Sequence, residues 1–166
     1  MSNATGSDSS GGLPQREGSR PLTRREEGTA HAQLSQNAPR ELQEILFERA
    51  RSLAGISTAE SLVSVPGARA FFLEESVAAG PEEAFQAGRE FAHIHPEYDG
   101  SLHLTLPPAM AREVEEKGWG EPHPISPSMM VYGPRDEAEL EVVWQLLLAS
   151  YRFALGEDEK SDEEPS

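Results

Sequence analysis

The chain has no cysteine among its 166 residues, which excludes a disulfide framework, a thiolate zinc site and a cysteine nucleophile. No apolar run approaches the roughly 20 residues needed to span a bilayer, and no short apolar region follows a basic start as in a signal peptide. Basic residues are scarce, with 14 Lys and Arg against 29 Asp and Glu, for a formal net charge of -15. Nucleic acids and anionic membranes are held by a basic footprint that releases counterions, so neither is expected as a partner. A GxSxG elbow, a phosphate-binding glycine loop and a dinucleotide fingerprint are also missing. The expectation is a cytoplasmic protein acting on a small molecule, with no feature that names a protein partner.

One domain is expected over residues 13–156, since single cores commonly form from about 100 to 200 residues. Residues 1–12 are small, polar and Gly/Ser-rich and read as a flexible leader. Residues 157–166, EDEKSDEEPS, form an acidic run without hydrophobes that reads as a disordered tail. From Leu13 to Gln36, prolines, glycines and four arginines prevent a continuous helix but offer guanidinium groups to an acidic body, so an ordered arm is expected. His31 lies in it and reads as a surface residue.

A helix is expected from Ala38 to Ala54, capped by Asn37 or Ala38, with Leu42, Ile45, Leu46, Ala50 and Leu53 as its core stripe. Ser61–Val65 and Arg69–Glu74 read as a hairpin around Pro66-Gly67. Pro107-Pro108 stops a later strand, Met110–Lys117 reads as a short helix, and Trp119–Pro124 as a loop. Met129–Tyr132 reads as a strand, and Asp136 caps a last helix closed by Gly156, with Glu139 at capping-box spacing. Arg135 beside that cap reads as a solvated or helix-start charge. The order helix, strands, helix, strand, helix predicts an α+β fold, with a mainly antiparallel sheet and helices packed on one face.

The rest is organised around residues 89–106, REFAHIHPEYDGSLHLTL, which hold three of the five histidines. Pro96, Asp99 and Gly100 favour a chain reversal. If residues 96–100 form a hairpin loop, His95 faces Ser101, His93 faces His103 and Phe91 faces Thr105. Ala92, Ile94, Leu102, Leu104 and Leu106 then lie on the opposite surface. Arg89 and Glu90, being adjacent, point to opposite faces and read as surface residues.

That histidine face supports more than one chemistry. His93, His95 and His103, with His123 from a separate loop, could hold a metal ion with Glu97 or Asp99 as an oxygen ligand. Without a metal, a carboxylate could orient one imidazole as a general base. A hydrogen-bonded polar face with no chemistry, belonging to a noncatalytic ligand-binding or protein-binding module, is the third reading. Trp119 reads as a core or lid aromatic.

The run at 89–106, followed by KGWGEPHP at 117–124 and VYGPRDEAELEVV at 131–143, resembles the fungal luciferase family and its bacterial luciferase-domain relatives. The segment LPQREGSRP at 13–21 is similar to the family's arginine-rich entry, so the resemblance runs from Leu13 to Phe153. It attaches to Arg16, Glu17, Gly18, Arg20, Pro21, Arg89, Glu90, His93, His95, Asp99, His103, Gly118, Trp119, Gly120, His123 and Pro124. Glu97 is not among them, which favours Asp99 as the carboxylate. The hydrophobic amino-terminal segment of the fungal enzymes is absent, and the loop after His123 is short.

The fungal enzymes oxidise a hydroxylated pyrone, 3-hydroxyhispidin, with molecular oxygen. The resemblance therefore implies a cofactor-independent oxygenase with oxygen as co-substrate. His93, His95, Asp99, His103 and His123 would be catalytic; Arg16, Arg20, Arg89 and Trp119 would bind a planar hydroxylated substrate. The alternatives are a metal-dependent enzyme using His93, His95 and His103, and the noncatalytic module.

Overall fold

The computed structural model describes residues 12–157. Almost all of the expected leader and tail lies outside the described residues. Among them, no helix is long and apolar enough to cross a membrane.

Six strands form one antiparallel sheet: β3 (Ile56–Glu60), β4 (Arg69–Leu73), β5 (Glu90–Ile94), β6 (Leu102–Leu104), β7 (Gly120–Pro122) and β8 (Met129–Val131). Their spatial order is β3-β4-β5-β6-β8-β7. Two short strands of the arm, β1 (Thr23–Arg24) and β2 (Ala32–Gln33), pair with each other apart from the sheet. Three helices complete the fold, α1 (Arg40–Arg51), α2 (Pro108–Glu116) and α3 (Glu137–Leu155). The α+β expectation holds.

The apolar face of the sheet is set by alternation. Phe71, Ala92, Leu104 and Met129 are successive cross-strand partners, with Ile94, Leu102 and Val131 in the adjacent row. These residues form one buried core with Leu42 and Leu46 of α1 and Leu140, Val143 and Leu147 of α3. Ile45 of the expected stripe is 38% exposed instead, because the core-facing arc of α1 is narrower than its apolar pattern. Pro39 occupies the N-cap without a side-chain bond, since the Asn37 amide is spent on Gln33 and Asp99 carbonyls. At α3, Asp136 caps the Glu139 amide as expected, while the Glu139 carboxylate turns to the Arg135 amide and guanidinium. Arg135 is thereby tied down rather than solvated.

Two elements differ from the reading of the sequence. The strand expected at Ser61–Val65 lies earlier, at Ile56–Glu60, paired with Arg69–Leu73. It is an edge strand with little buried surface, so it lacks the apolar signature of an inner strand. Ser61–Val65 leaves the sheet instead, held by Ser61 Oγ and the Leu62 amide, which donate to the Glu90 carboxylate at 2.7 and 2.8 Å. The expected loop after Trp119 contains β7, which closes the far edge against β8.

The hairpin at 89–106 has the expected pairing over its centre, with His93 opposite His103 and Ile94 opposite Leu102. The His95 amide donates to the Ser101 carbonyl at 2.9 Å, one step closer to the loop. Gly100 closes that loop at φ +77°, where an added Cβ would lie 2.6 Å from Gln43 Nε2. Gly100→Ala should therefore cost about 1 to 2 kcal/mol from the left-handed backbone alone, with more from the contact. Denaturant unfolding should show a lower midpoint at unchanged slope, and an unchanged midpoint would show that the loop does not need this conformation.

Candidate active site

Ala70, His93, His103, Met130 and Glu121 are successive cross-strand partners on the face opposite the helices. The register alone therefore sets Glu121, from a segment read as loop, in line with two histidines. Simple alternation fails at one point. Phe71 pairs with Ala92 but Phe72 pairs with Glu90, so Phe91 is the extra residue of a β-bulge. Phe91 turns into the core beside the Tyr151 ring, 6.2 Å away between centroids, and Glu90 turns to the histidine face. There its Oε2 lies 2.9 Å from His93 Nδ1. Glu90 is fully buried, not a surface residue.

The arm covers this face and brings His31 with it. Its anchors are side-chain and backbone bonds to the far edge of the sheet: Arg20 to the Gly120 carbonyl at 2.8 Å, Arg25 to Glu121 at 2.9 Å and the Trp119 indole to the Pro14 carbonyl at 2.7 Å. His31 is buried, with Nδ1 2.9 Å from His103 Nε2 and Nε2 2.8 Å from Glu121 Oε2. The surface expectation for His31 fails because the arm folds its apolar Ala32 and this ring inward. His103 Nδ1 meets His93 Nε2 at 3.2 Å. One unbroken row of contacts thus runs Glu90, His93, His103, His31, Glu121.

His95 stands beside this row, its ring centroid 4.7 Å from that of His103. Its Nδ1 is 3.1 Å from Asp99 Oδ2 and 3.0 Å from Ser101 Oγ. The serine hydroxyl donates to Asp99 Oδ1 at 2.6 Å, and the amides of Ser101 and Gln33 donate to the same carboxylate. Burial alone would raise the Asp99 pKa, but the bonds from His95 and Ser101 outweigh it and hold the group below its ordinary value. Asp99 therefore accepts the His95 Nδ1 proton and leaves Nε2 with its lone pair. That nitrogen has no partner among the described residues.

His123 has the opposite tautomer. Its Nδ1 accepts the amides of Ile125 and Ser126, each at 3.1 Å, so its proton sits on Nε2. Burial, with the neighbouring imidazoles, lowers its pKa to about 4, which keeps the ring neutral near pH 7.

All five histidines line one cavity of about 500 Å³, within the range that suits a small ligand. The walls are the arm at Thr29 and Ala30, the 63–65 loop, Gln86, and the loop at Ile125, Ser126 and Ser128. Arg16, Arg20, Arg89 and Trp119 do not line it. Arg16 stacks on Tyr132 and Arg89 donates to the Leu73 carbonyl, while Arg20 and Trp119 tie down the arm. Glu97, already disfavoured, is on the surface against Arg40.

Ring nitrogens of His93, His95 and His103 lie within 4.8 Å of one another, as do those of His31, His103 and His123. The second group is poorly suited to a metal, because the His123 tautomer presents a proton rather than a lone pair. In the first, the facing nitrogens of His93 and His103 are joined by a hydrogen bond that an ion would have to break.

Comparison with known proteins finds matches to part of the chain. Residues 88–150 match the family described as Luciferase domain. The luciferases of Armillaria gallica and Armillaria mellea are each 39% identical over 74 residues, and that of Neonothopanus nambi is 38% identical over 74 residues. These matches cover 39% of this chain and 28% of each relative, so the chain matches less than a third of their length. The arginine-rich segment at 13–21 lies outside the family match. No solved structure matches.

His31, Glu90 and Glu121 are the site residues that the reading of the sequence did not place. Glu90 stands among the resemblance positions; the other two carry no local signal. Burial would raise the Glu121 pKa, yet hydrogen bonds from His31, Tyr132, Arg25 and Thr23 bring it from 4.5 to about 2. A carboxyl depressed in the fold contributes stability above its unfolded pKa, and the contribution is lost as pH falls toward 2. Glu121→Gln should lower stability near neutral pH and flatten this acid dependence below pH 4.5. Denaturant midpoints from pH 2 to 7 check it, and parallel curves for the two proteins would contradict it.

Proposed function

We propose, for a chain whose residues 88–150 match the family described as Luciferase domain, that the histidine cavity oxidises a small planar hydroxylated molecule, enolic or pyrone-like, with molecular oxygen. The observation that carries this reading is the pair of opposite, fixed tautomers: His95 offers a lone pair to the cavity and His123 offers an N–H.

The chemistry follows from those two groups. His95 Nε2 takes the proton of an enolic hydroxyl, and Asp99 stabilises the imidazolium that forms. The enolate oxygen accepts from His123 Nε2–H, a donor fixed before the charge develops. The electron-rich carbon then forms a bond to dioxygen, which is reduced to the peroxide level while the substrate is oxidised. The proton on His95 is available to that peroxide. No organic cofactor is required by this sequence of steps. Light emission does not follow from a shared scaffold.

The small cavity supports a small-molecule substrate rather than a polymer, and the net charge of -15 speaks against nucleic acid as a partner. Oxygen consumption against hydroxylated pyrones and catechols tests the proposal. His95→Gln should lower turnover of an accepted substrate by about 100-fold or more, the scale of a lost general base. Asp99→Asn should lower it by roughly 10- to 100-fold, on the scale of a lost orienting partner. Full activity in His95→Gln would remove this ring from the reaction.

A further inference from the structure

We propose that the cavity takes a ligand with two unlike ends, a hydroxylated ring at its histidine floor and a saturated aliphatic substituent held at its mouth by Val63 and Ile125, which set the specificity of the site. The exposure of the lining residues locates the mouth. His93, His95 and His103 line the cavity and are each at most 4% exposed, whereas Val63 is 52% and Ile125 89% exposed on the same cavity. Residues that line a cavity and also meet solvent stand at its opening. The floor is therefore polar and the opening apolar. The inference rests on the oxygenase reading only for the identity of the ring end.

Both loops that carry these residues are tied to the histidine cluster. Glu90 accepts from Ser61 Oγ, and that oxygen in turn accepts the amides of Val63 and Ser64 at 3.1 and 3.0 Å. On the other loop, the Ile125 amide donates to His123 Nδ1. A single exposed hydrophobe is ordinary on a protein surface. Here two branched ones share one cavity, and the groups that order its floor also fix the backbone that presents them.

The chemistry of the substituent follows from size and lining. A volume of about 500 Å³ is in the range that encloses drug-sized ligands, so one hydroxylated ring at the floor leaves the mouth unfilled. No Asp, Glu, Lys, Arg, Phe, Tyr or Trp is among the described residues that line the cavity. A charged substituent therefore meets no counter-ion, and an aryl one meets no partner ring beyond the imidazoles that the hydroxylated ring covers. A saturated chain needs only to leave water, and the Val63 and Ile125 side chains leave water with it.

The test is titration of methyl-labelled protein under nitrogen, which stops turnover, read by NMR at the Val63 and Ile125 methyl groups. The ligands are 3-hydroxypyran-2-ones bearing methyl, propyl, pentyl or phenyl at C6. Both residues' signals should move as the chain lengthens, and affinity should rise about three- to fourfold for each added methylene, the scale of a buried CH₂. The pentyl compound should bind more tightly than the phenyl one. Ile125→Ser and Val63→Ser should each reduce the gain to about twofold or less per methylene, because part of the apolar contact is gone. Leu22→Ser, at a residue 68% exposed but outside the cavity lining, should keep the full gain.

The straight-chain alcohols from propanol to heptanol, which carry the chain without an enolic ring, are titrated in parallel. No binding in either series, a gain per methylene unchanged in both rim variants, or a phenyl compound that outbinds the pentyl one would overturn the proposal. Pyrones that bind with no gain from the chain would overturn the aliphatic subsite and leave the oxygenase reading standing. Alcohols that bind with the expected gain while no pyrone binds would support the subsite and count against the oxygenase reading.

Discussion

A buried carboxylate must be paired or hydrogen-bonded, and the rest of this site depends on how Glu90 meets that condition. With no accessible surface, it takes its bonds from Ser61, Leu62 and His93. The first two pull a loop off the edge strand and make one wall of the cavity. The third fixes the first ring of a row that ends at Glu121. None of this would occur in a regular strand, where Glu90 and His93 project to opposite faces. The extra residue, Phe91, reverses the phase and at the same time supplies an aromatic ring to the core. One bulge therefore serves packing on one side and chemistry on the other.

The arm is the second requirement. A sheet face bearing two histidines and a glutamate needs a cover that brings partners with it, and a helix presenting an apolar stripe would leave those groups unpaired. The arm brings His31 and the Gln33 amide, and its arginines reach carbonyls and Glu121 at the far edge of the sheet. The arginines of this segment are thus ties between layers. Their charge is spent before a substrate arrives, which explains why the cavity wall contains imidazoles and no guanidinium.

Local chemistry in the sequence accounts for the hairpin. Pro96, Asp99 and Gly100 specify the reversal, and the alternation of Ala92 and Ile94 with histidines specifies which face is which. That reading stops at Phe91, because a bulge is decided by the pairing of β5 with β4 and not by residues 89–106 themselves. The edge strand at Ile56–Glu60 escaped notice because an exposed edge needs no hydrophobic pattern. His31 and Glu121 are 72 and 18 residues from His103, and only the folded arm and the β7–β8 pairing bring them together. The resemblance drew attention to Arg16, Arg20, Arg89 and Trp119, whose bonds in the fold are structural. A motif marks residues that matter without saying whether they hold the substrate or the protein.

The claim on which the account turns is that four imidazoles tied to three carboxylates, with His123 held beside them by backbone amides, form one buried cluster rather than a loose group of surface histidines. A crystal structure of the untagged protein at high resolution tests it most directly. The account predicts the His31 ring within hydrogen-bond distance of both His103 Nε2 and Glu121 Oε2, with no ion between the rings. A His31 ring turned to solvent, or ring nitrogens drawn around a bound ion, would contradict it.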